Sequence, residues 1–389
     1  MPRAVRNRLS APAALVALCV AFAGLAATGA GAQDGPALRG RTGVISPIRA
    51  AGEIGEPAPQ GEKEKAAYVA AVADYHRGRY AQARAALERL AGKGGADARY
   101  LLGHLHQQGL GAPKNLAEAI EHFVIAANDG QVDAQFSIGA LARTGYKLGD
   151  TIYEPEPALA RGWLELAAAK GHSLAQYELA TMMAQGEGGK RDYEAAADLW
   201  ESAANGGVVA AQTELGGAFV TGRGRTQDFA KAALWFSQAA EADDPDAMYN
   251  LALLYDSGMG VEQNPDEAAR WLETAAAAGL PEAQTSLGLL AYQGRGVARS
   301  LTRAADLISQ GAKNGDGEGQ YLYAVLLAKG EGLDRDYEEA FRWASRSLSP
   351  RHDMTPESRA ERVQLKDALA QKLTPQQRIA AEAWAAVRN

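Results

Sequence analysis

The chain has 389 residues, of which 22% are charged and 47% hydrophobic, values typical of a globular protein with a core along most of its length. Its formal net charge of −7 argues against nucleic acid or anionic lipid as the main partner. Forty-three glycines are too many for a plain helical bundle, and they favour helices that are interrupted at short intervals.

The N-terminal segment has the organisation of a secretory signal. Three arginines among the first eight residues precede an apolar run over residues 11–27, and Ala30-Gly31-Ala32 follows it. The run is short for a membrane span, so we predict a signal peptide over residues 1–32 that is cleaved on export, with an uncleaved anchor as the alternative. Cleavage would remove the only cysteine, Cys19, and change the formal charge from −7 to −10. We therefore expect a periplasmic or secreted chain without disulfides or a membrane span.

Two segments precede the regular part of the sequence. Residues 33–61 mix glycine, proline and charge without a helical or strand period, which is typical of a flexible linker. An apolar stripe that includes Tyr68 and Tyr75 then predicts a helix, and a second helix follows the turn at Gly78. This pair, over residues 62–94, is interpreted as a degenerate first repeat that caps an array.

Seven copies of one helical pair follow over residues 95–350. The small residues that open the first helix of each copy are Ala98, Ala134, Ala175, Ala211, Ala247, Ala283 and Gly319. Their spacings are 36, 41, 36, 36, 36 and 36 residues. Neither helix of a pair can bury its apolar face alone, so the regular period predicts a stacked all-α solenoid of helix-turn-helix repeats.

The cleanest copy, Asp246 to Pro281, shows how each repeat is built. Its first helix carries apolar residues at i, i+4 and i+8, a turn follows at Gly258, and the second helix has an apolar stripe that includes Trp271. Trp163 and Trp235 occupy the same place in other copies. We predict that these indoles fill the gap between neighbouring repeats, beside alanine pairs that let the helices approach closely.

The repeat resembles a known family. Residues 247–279 have the form A-x-Y-x-L-A-x-x-Y-x-x-G-x-G-V, followed by A-x-x-W-x-x-x-A-A-x-x-G. This is similar to the Sel-one-like repeat (SLR), a relative of the tetratricopeptide repeat, and the resemblance covers about residues 95–350. It implies a right-handed α/α superhelical solenoid that acts as an adaptor. Bacterial members are commonly exported and bind proteins or cell-wall material, some as regulators of envelope signalling and others in host contact. Some members have a disulfide in every repeat, and this sequence lacks those cysteines.

The copy that opens at Ala134 contains five extra residues. The segment Tyr146 to Tyr153 replaces the usual turn glycine. Insertions in repeat arrays form loops on one face, so Tyr146 and Tyr153 are candidate contact residues. A tolerated surface insertion is the alternative, because lengthening a loop has a small effect on stability.

Positions at which the copies disagree are the best candidates for a binding surface. The residues three and ten after each opening small residue vary, whereas the framework barely changes. Being seven apart, they share one face of the first helix, which lines the concave side in the resembling family. The candidate partner-binding residues there are Glu178, Gln185, Glu214, Asn250, Ser257 and Gln293. We predict a groove for a protein or extended peptide, with cell-wall glycan as an alternative ligand and ordinary solvated surface as the alternative interpretation.

The sequence contains no strong catalytic motif. It lacks H-E-x-x-H, a cysteine or cysteine/histidine cluster, and a phosphate-binding G-x-x-x-x-G-K-[ST] loop. Ser173 lies in a faintly elbow-like sequence, but a helix ends before it where that motif requires a strand. Asn314, Asp316 and Glu318 miss the spacing of a calcium loop and are interpreted as a solvated helix start. We expect no catalytic residue, metal or cofactor.

Two histidines have both a functional and a structural interpretation. His106 occupies a position held by Tyr255 in another copy, and His122 occupies the tryptophan position. A pH-sensitive packing site and a metal pair are the functional alternatives, and substitution within the core is the interpretation that we favour.

The period stops after Pro350, and residues 351–389 are expected to form capping helices. Thr355-Pro356-Glu357 has the pattern of a helix start, and Thr374-Pro375 begins another helix. A cap is favoured over a partner-binding helix because an exposed repeat end requires polar-backed cover. The chain is thus predicted to be an exported, non-enzymatic scaffold for a protein or peptide partner, involved in envelope signalling. The alternatives are a surface or secreted host-interaction factor and a cell-wall-associated enzyme or glycan-binding protein.

Overall fold

The structure is a computed structural model that describes residues 61–93, 95–352 and 354–387. The predicted signal peptide, residues 1–32, and all but the last residue of the predicted linker, residues 33–61, lie outside the described residues. Apart from one short hairpin, the regular secondary structure of the described part is helical, and the predicted fold class, an all-α solenoid of helix-turn-helix repeats, is confirmed.

Eighteen helices and one short hairpin make up the regular structure of the described residues. The helices are α1 Glu62–His76, α2 Tyr80–Ala91, α3 Ala96–Gln108, α4 Leu116–Asn128, α5 Val132–Thr144, α6 Pro157–Ala169, α7 Ser173–Gln185, α8 Tyr193–Asn205, α9 Val209–Thr221, α10 Phe229–Glu241, α11 Pro245–Ser257, α12 Pro265–Ala277, α13 Pro281–Gln293, α14 Leu301–Lys313, α15 Gly317–Lys329, α16 Tyr337–Ser347, α17 Pro356–Ala370 and α18 Pro375–Val387. Between α5 and α6, the strands β1 Tyr146–Leu148 and β2 Thr151–Tyr153 pair antiparallel. From α3 to α16, odd-numbered helices are the first helices of the repeats and even-numbered helices are the second.

The described residues form two compact units. The first runs from α1 to Ala211 and includes Arg223–Arg225, and the second comprises Gln212–Gly222 and the chain from Thr226 onward. Successive helices pack against each other from α1 to α8 in the first unit and from α10 to α16 in the second. Each unit is therefore a stack of helical hairpins in which neighbouring repeats share a core.

Glycines with a left-handed backbone conformation end first helices of the repeats. Gly258 has φ 73° and closes α11 by donating its N–H to the carbonyl of Leu254 at 2.8 Å. Gly260, at φ 72°, lies so close to Phe229 that a Cβ atom would overlap its carbonyl group. Asp243, with φ 62°, takes the place of the glycine at one second turn, as the sequence predicts.

The second helices begin at capping residues that the sequence analysis missed. Seventeen residues after the opening small residue, a side-chain oxygen accepts a backbone N–H from the first turn of the second helix. These caps are Asn115, Asp192, Asp228, Asn264, Ser300 and Asp336. A cap of this kind contributes about 1 kcal/mol. In the repeat with the insertion, Glu156 occupies the N-cap position of the second helix, and its side chain makes no capping hydrogen bond.

The tryptophans that were predicted to fill the gap between repeats differ in burial. Trp163 is fully buried, whereas Trp235 and Trp271 are only partly buried. In all three repeats the next residue, Leu164, Phe236 or Leu272, is buried. Trp163 is buried in addition to Leu164, in a cluster against which the hairpin residues Tyr146 and Leu148 pack.

The C-terminal helices cover the end of the second unit. Both α17 and α18 pack on α16, and Trp384 meets Trp343 edge-on with ring centroids 5.3 Å apart. Arg362 of α17 is only 4% exposed and donates to the carbonyls of Gly317 and Ser347 at 2.9 and 2.8 Å. It also pairs with Glu318 at 2.7 Å. These contacts are those of a capping segment.

Candidate binding face

The candidate residues on the first helices fall into two rows with different environments. The residues three after the opening small residue are Glu178, Glu214 and Asn250, and those ten after it are Gln185, Ser257 and Gln293. The first row is half-buried, or fully buried at Asn250. The second row lies at the C-terminal ends of α7, α11 and α13, half-buried at Gln185 and exposed at the other two. A partner would therefore reach the second row directly and meet the first row as a floor. Glu178 and Gln185 lie in the first unit and the other four residues in the second, and we call the surface that these positions form within each unit the first-helix face.

The exposed side chains of the second row make only local contacts. The Ser257 hydroxyl donates to the carbonyl of Leu253 at 2.7 Å, one turn earlier in α11. The Gln293 side-chain oxygen accepts from Arg295 at 3.4 Å. Neither contact fixes the position of another helix, so both side chains are available to a partner.

The charge of Glu178 is compensated by an arginine of the same chain. Its carboxylate accepts from Arg143 of the preceding first helix, α5, and Arg143 also donates to Glu187 at 2.9 Å. The arginine is well buried for a charged side chain, and two carboxylates compensate its charge. Glu178 thus helps to join two repeats in the first unit.

The Arg143–Glu187 contact belongs to a series that sequence reasoning missed. The residue nine positions after the opening small residue of one repeat contacts a residue of the next repeat. That second residue lies twelve positions after the opening small residue of its own repeat. The other members, both in the second unit, are Asp256 with Arg295 at 2.6 Å and Tyr292 with Glu331 at 2.8 Å. The sequence signal was present as complementary residues at these two positions, with the charges reversed between the Arg143 and Asp256 pairs.

Glu214, on α9, is the least satisfied carboxylate of the face. It makes no side-chain hydrogen bond or ion pair with another described residue. Burial, followed by the nearby carboxylates of Asp246 and Asp244, raises the pKa of Glu214 from 4.5 to about 7. Asp244 is better satisfied, because it caps α11 by accepting the N–H of Ala247 at 2.7 Å and the hydroxyl of Thr213.

Asn250 lies one helical turn after Asp246 on α11. It is 2% exposed, and its Oδ1 finds no hydrogen-bond partner among the described residues. The spacing of four residues places Asn250 and Asp246 on the same side of the helix. Other repeats have Leu101 or Leu322 at this position. Packing alone is therefore compatible with an apolar residue there, and the buried amide needs another explanation.

The insertion is a β-hairpin rather than an irregular loop. Tyr146 pairs with Tyr153, and their rings stack with centroids 4.7 Å apart. Both tyrosines are half-buried, and Tyr146 packs on the core of the first unit. The opposite side of the hairpin presents Lys147 and Ile152, the latter 66% exposed. The tyrosines hold the hairpin in place, and Lys147 and Ile152 are its exposed side chains.

The two histidines named in the sequence analysis stack on each other. Their ring centroids are 5.6 Å apart, and the Nδ1 atom of His106 is 2.9 Å from Glu118. Burial, followed by His106 and Arg99, lowers the pKa of His122. Over residues 61–93, 95–352 and 354–387, no group of three or more histidine, cysteine or acidic side chains is placed to hold a metal ion.

The other candidates have structural partners. Asp316 caps α15 by accepting the N–H groups of Glu318 and Gly319, and Asn314 donates to Gln284 at 2.9 Å. Ser173 is the first residue of α7 and follows a turn, as the sequence indicates. Among the described helices, none has both the length and the hydropathy to cross a membrane.

Comparison with known proteins agrees with this architecture. The profile of the Sel1 repeat matches residues 96–131, 133–172, 173–208, 209–244, 245–280, 281–316 and 317–349. A solved Sel1 repeat protein from Oxalobacter formigenes is 25% identical over 78% of this chain and 88% of that chain, with a TM-score of 0.54. A protective antigen of uropathogenic Escherichia coli with an SLR fold is 24% identical over 83% of each chain, with a TM-score of 0.42. An immunity protein from Pseudomonas aeruginosa is 16% identical over 58% and 85% of the two chains, with a TM-score of 0.33. No curated protein matches the sequence significantly.

Stacked helical hairpins with a polar first-helix face define the class of α-solenoid repeat scaffolds, a fold typical of protein–protein interaction. The chain belongs to the Sel1 repeat family, which confirms the resemblance seen in the sequence. Sel1 repeat proteins are generally non-catalytic scaffolds.

Proposed function

We propose that the protein is an exported scaffold without catalytic activity, which binds a protein or peptide partner on its first-helix face and thereby regulates envelope signalling. One observation carries the proposal. The framework of the repeats is nearly constant, while the polar positions on one side of the first helices differ from copy to copy. Within each unit, a surface whose side chains are not part of the framework and differ between copies suits the recognition of an extended partner.

A crosslinking experiment tests the binding face. The tagged full-length chain is expressed in its host, crosslinked and captured, and its partners are compared with those of the variants Ser257→Arg and Gln293→Arg. Both positions are exposed, so a large cation there is compatible with folding while it obstructs the face. We expect the variants to lose the partners of the wild type. A Glu178→Lys/Glu214→Lys variant extends the test to the floor, with circular dichroism to verify its helix content.

The control for this test is Glu262→Arg, which places the same cation in the exposed turn after α11. It is expected to retain every partner. Unchanged partners in both Ser257→Arg and Gln293→Arg would show that the face is not used. Attention would then move to the hairpin, whose Ile152 is exposed, and Ile152→Asp would test that surface.

Cell fractionation tests the proposed export. The signal-like N-terminus and the thiol-free remainder support a periplasmic or secreted chain. We expect a C-terminally tagged copy in the periplasm or medium, shortened by about thirty residues. Full-length protein confined to the cytosol would contradict export, and release into the medium would favour the host-interaction alternative.

A further inference from the structure

Two histidines face each other across the helical pair of the repeat that opens at Ala98. His106, on α3, is 4% exposed, and its ring stacks on that of His122, on α4, with 22° between the two planes. The Nδ1 atom of His106 lies 2.9 Å from Glu118, one turn before His122 on α4. His122 is half-buried, and its Nδ1 atom has no hydrogen-bond partner in the described part of the chain. Two rings that titrate near neutral pH thus lie where α3 packs on α4.

The six other repeats have no histidine at either position. The residues equivalent to His106 are Ala142, Met183, Phe219, Tyr255, Ala291 and Leu327. Those equivalent to His122 are Trp163, Leu199, Trp235, Trp271, Leu307 and Trp343. The framework of the repeat is therefore built without an imidazole at either place. Both replacements occur in a single repeat, at two positions whose side chains stack on each other, so packing alone does not account for them.

The charged groups around His122 come from both helices. On α3, Arg99 and His106 oppose a positive charge on the His122 ring, and on α4 the exposed Glu118 and Glu121 favour one. Burial opposes the charge more strongly than any of these groups, and together they lower the pKa of His122 from 6.5. Glu118 already contacts His106, and solvent screens both glutamates. A proton on His122 is therefore poorly compensated.

The remaining charged groups of the neighbouring helices face other partners. The two on α5, which also packs on α4, are Asp133, 3.4 Å from His172, and Arg143, which joins Glu178 and Glu187. On α3, His104 lies 3.4 Å from the Tyr75 hydroxyl, and Asp97 acts on Tyr68. Asp129, which follows α4, interacts with Arg99. The histidine pair is thus the part of this contact whose charge changes near neutral pH.

We propose that the stacked histidines form a proton-sensitive contact between α3 and α4, which loosens when the surroundings of the chain become mildly acidic. This inference goes beyond the proposed function and does not depend on it. Protonation makes the Nδ1 atom of His122 a donor without an acceptor in the described part of the chain, and it adds a charge beside Arg99 and His106. Both effects are relieved when α4 moves away from α3, so protons favour the open state of the repeat.

The direction of the pH dependence follows from the two states of His122. In the folded chain its pKa lies below 6.5, the value that the ring has without the fold. The stability that the neutral ring contributes is therefore present above pH 6.5 and is lost as the pH falls below 6.5. At pH 5.5, one unit below the pKa of the free ring, the open state is favoured by up to about tenfold relative to pH 7.5.

Hydrogen exchange of the full-length chain, measured by mass spectrometry at pH 7.5 and pH 5.5, tests this contact. Protection of the α3 and α4 amides, corrected for intrinsic exchange, is compared between the wild type and His122→Leu. Leucine is the residue of two other repeats at this position, so it is compatible with the framework. We expect acidification to reduce the protection of the wild type by up to about tenfold relative to that of the variant. His122→Trp, which has the residue of four other repeats, is expected to behave as His122→Leu does and serves if leucine impairs folding.

His76→Leu is the matched control, since it removes an exposed histidine from the same unit and leaves the stacked pair intact. It is expected to lose protection in acid as the wild type does. A smaller loss in the His122 variants than in His76→Leu therefore assigns the acid response to the stacked pair rather than to the histidine content of the chain.

Three results would overturn the proposal. Protection of α3 and α4 that is the same at both pH values in the wild type would show that the contact does not respond to protons. An acid response of equal size in the wild type and in both His122 variants would assign it to other groups. A response that disappears in the presence of EDTA would assign the histidine pair to metal binding instead.

Discussion

At the scale of single residues, Glu214 and Asn250 show how one repeat position serves different purposes. Both lie three residues after an opening alanine, where other copies have Leu101 or Leu322. In those copies the position contributes to packing. In the copies that contain Glu214 and Asn250, the same position holds a polar side chain away from solvent. A buried polar group reduces stability unless it has a hydrogen-bond partner. Two predictions follow from this loss of stability.

Glu214→Gln is expected to stabilise the protein at alkaline pH. The pKa of Glu214 is about 7 in the folded chain and 4.5 without the fold, so between these values the folded state holds more protons than the unfolded state. Stability therefore falls as pH rises from 4.5 to 7 and remains lower above 7. The free energy of unfolding of the variant, measured by urea denaturation, should exceed that of the wild type by up to about 3 kcal/mol at pH 8 and converge with it toward pH 4.5. Curves that stay parallel over this range would contradict the prediction, and Glu262→Gln provides the baseline.

Asn250→Leu is expected to raise the free energy of unfolding by about 1–2 kcal/mol, because it removes a buried acceptor without a partner. Leucine fits the position in two other repeats, as Leu322 shows by its burial. The control is Asn264→Leu at the N-cap of α12, which removes a side chain that accepts the N–H of Glu267 and should destabilise by about 1 kcal/mol. Urea denaturation at pH 8 measures both. Destabilisation by Asn250→Leu would mean that the amide has a role in the free fold.

At the scale of the element, adjacent repeats are joined by paired positions as well as by apolar packing. The residues nine and twelve after the opening small residue meet across the repeat boundary, with either orientation of charge. Because Arg143 with Glu187 reverses the arrangement of Asp256 with Arg295, the geometry of the boundary accepts both.

Reversing the charges of Asp256 and Arg295 together is expected to preserve stability. Asp256→Arg or Arg295→Glu alone should cost about 0.5–1 kcal/mol, since the pair is partly exposed. The double variant should recover most of that loss. A double-mutant cycle with urea denaturation gives the coupling energy, and additive losses would show that the two side chains do not interact.

At the scale of the whole molecule, the C-terminal segment protects the last repeat. Phe341 and Trp343 of α16 are buried partly because α17 and α18 cover them. Arg362 fixes this cover through two backbone carbonyls and Glu318.

Arg362→Met is expected to destabilise the second unit by about 3–5 kcal/mol, because it leaves Glu318 and two carbonyls without their donor. Limited proteolysis should then cleave residues 351–389 first, and the urea midpoint should fall. Arg378→Met, at an exposed position of α18, is the control and should behave as the wild type. Equal protease resistance of the two variants would show that Arg362 does not hold the cap.

The sequence alone determined the repeat architecture. A period of 36 residues, left-handed glycines at the turns and apolar stripes on both helices leave a single arrangement, because each helical pair needs its neighbours to bury its apolar face. The hairpin at Gly149 was not predicted, although a two-residue loop that begins with glycine between Leu148 and Thr151 is a recognised hairpin signal.

The tertiary structure decided which side chains of that architecture are satisfied. Glu178 and Glu214 are equivalent in the sequence pattern. Only the packed structure shows that Arg143 bonds to Glu178, whereas acidic side chains lie near Glu214. Trp271 matches Trp163 in sequence, but only Trp163 is fully buried, in a cluster against which the hairpin residues Tyr146 and Leu148 pack. The periodicity of a single chain specifies which helices meet. The burial of each side chain and the charge of its neighbour across the repeat boundary arise only when the repeats are packed together.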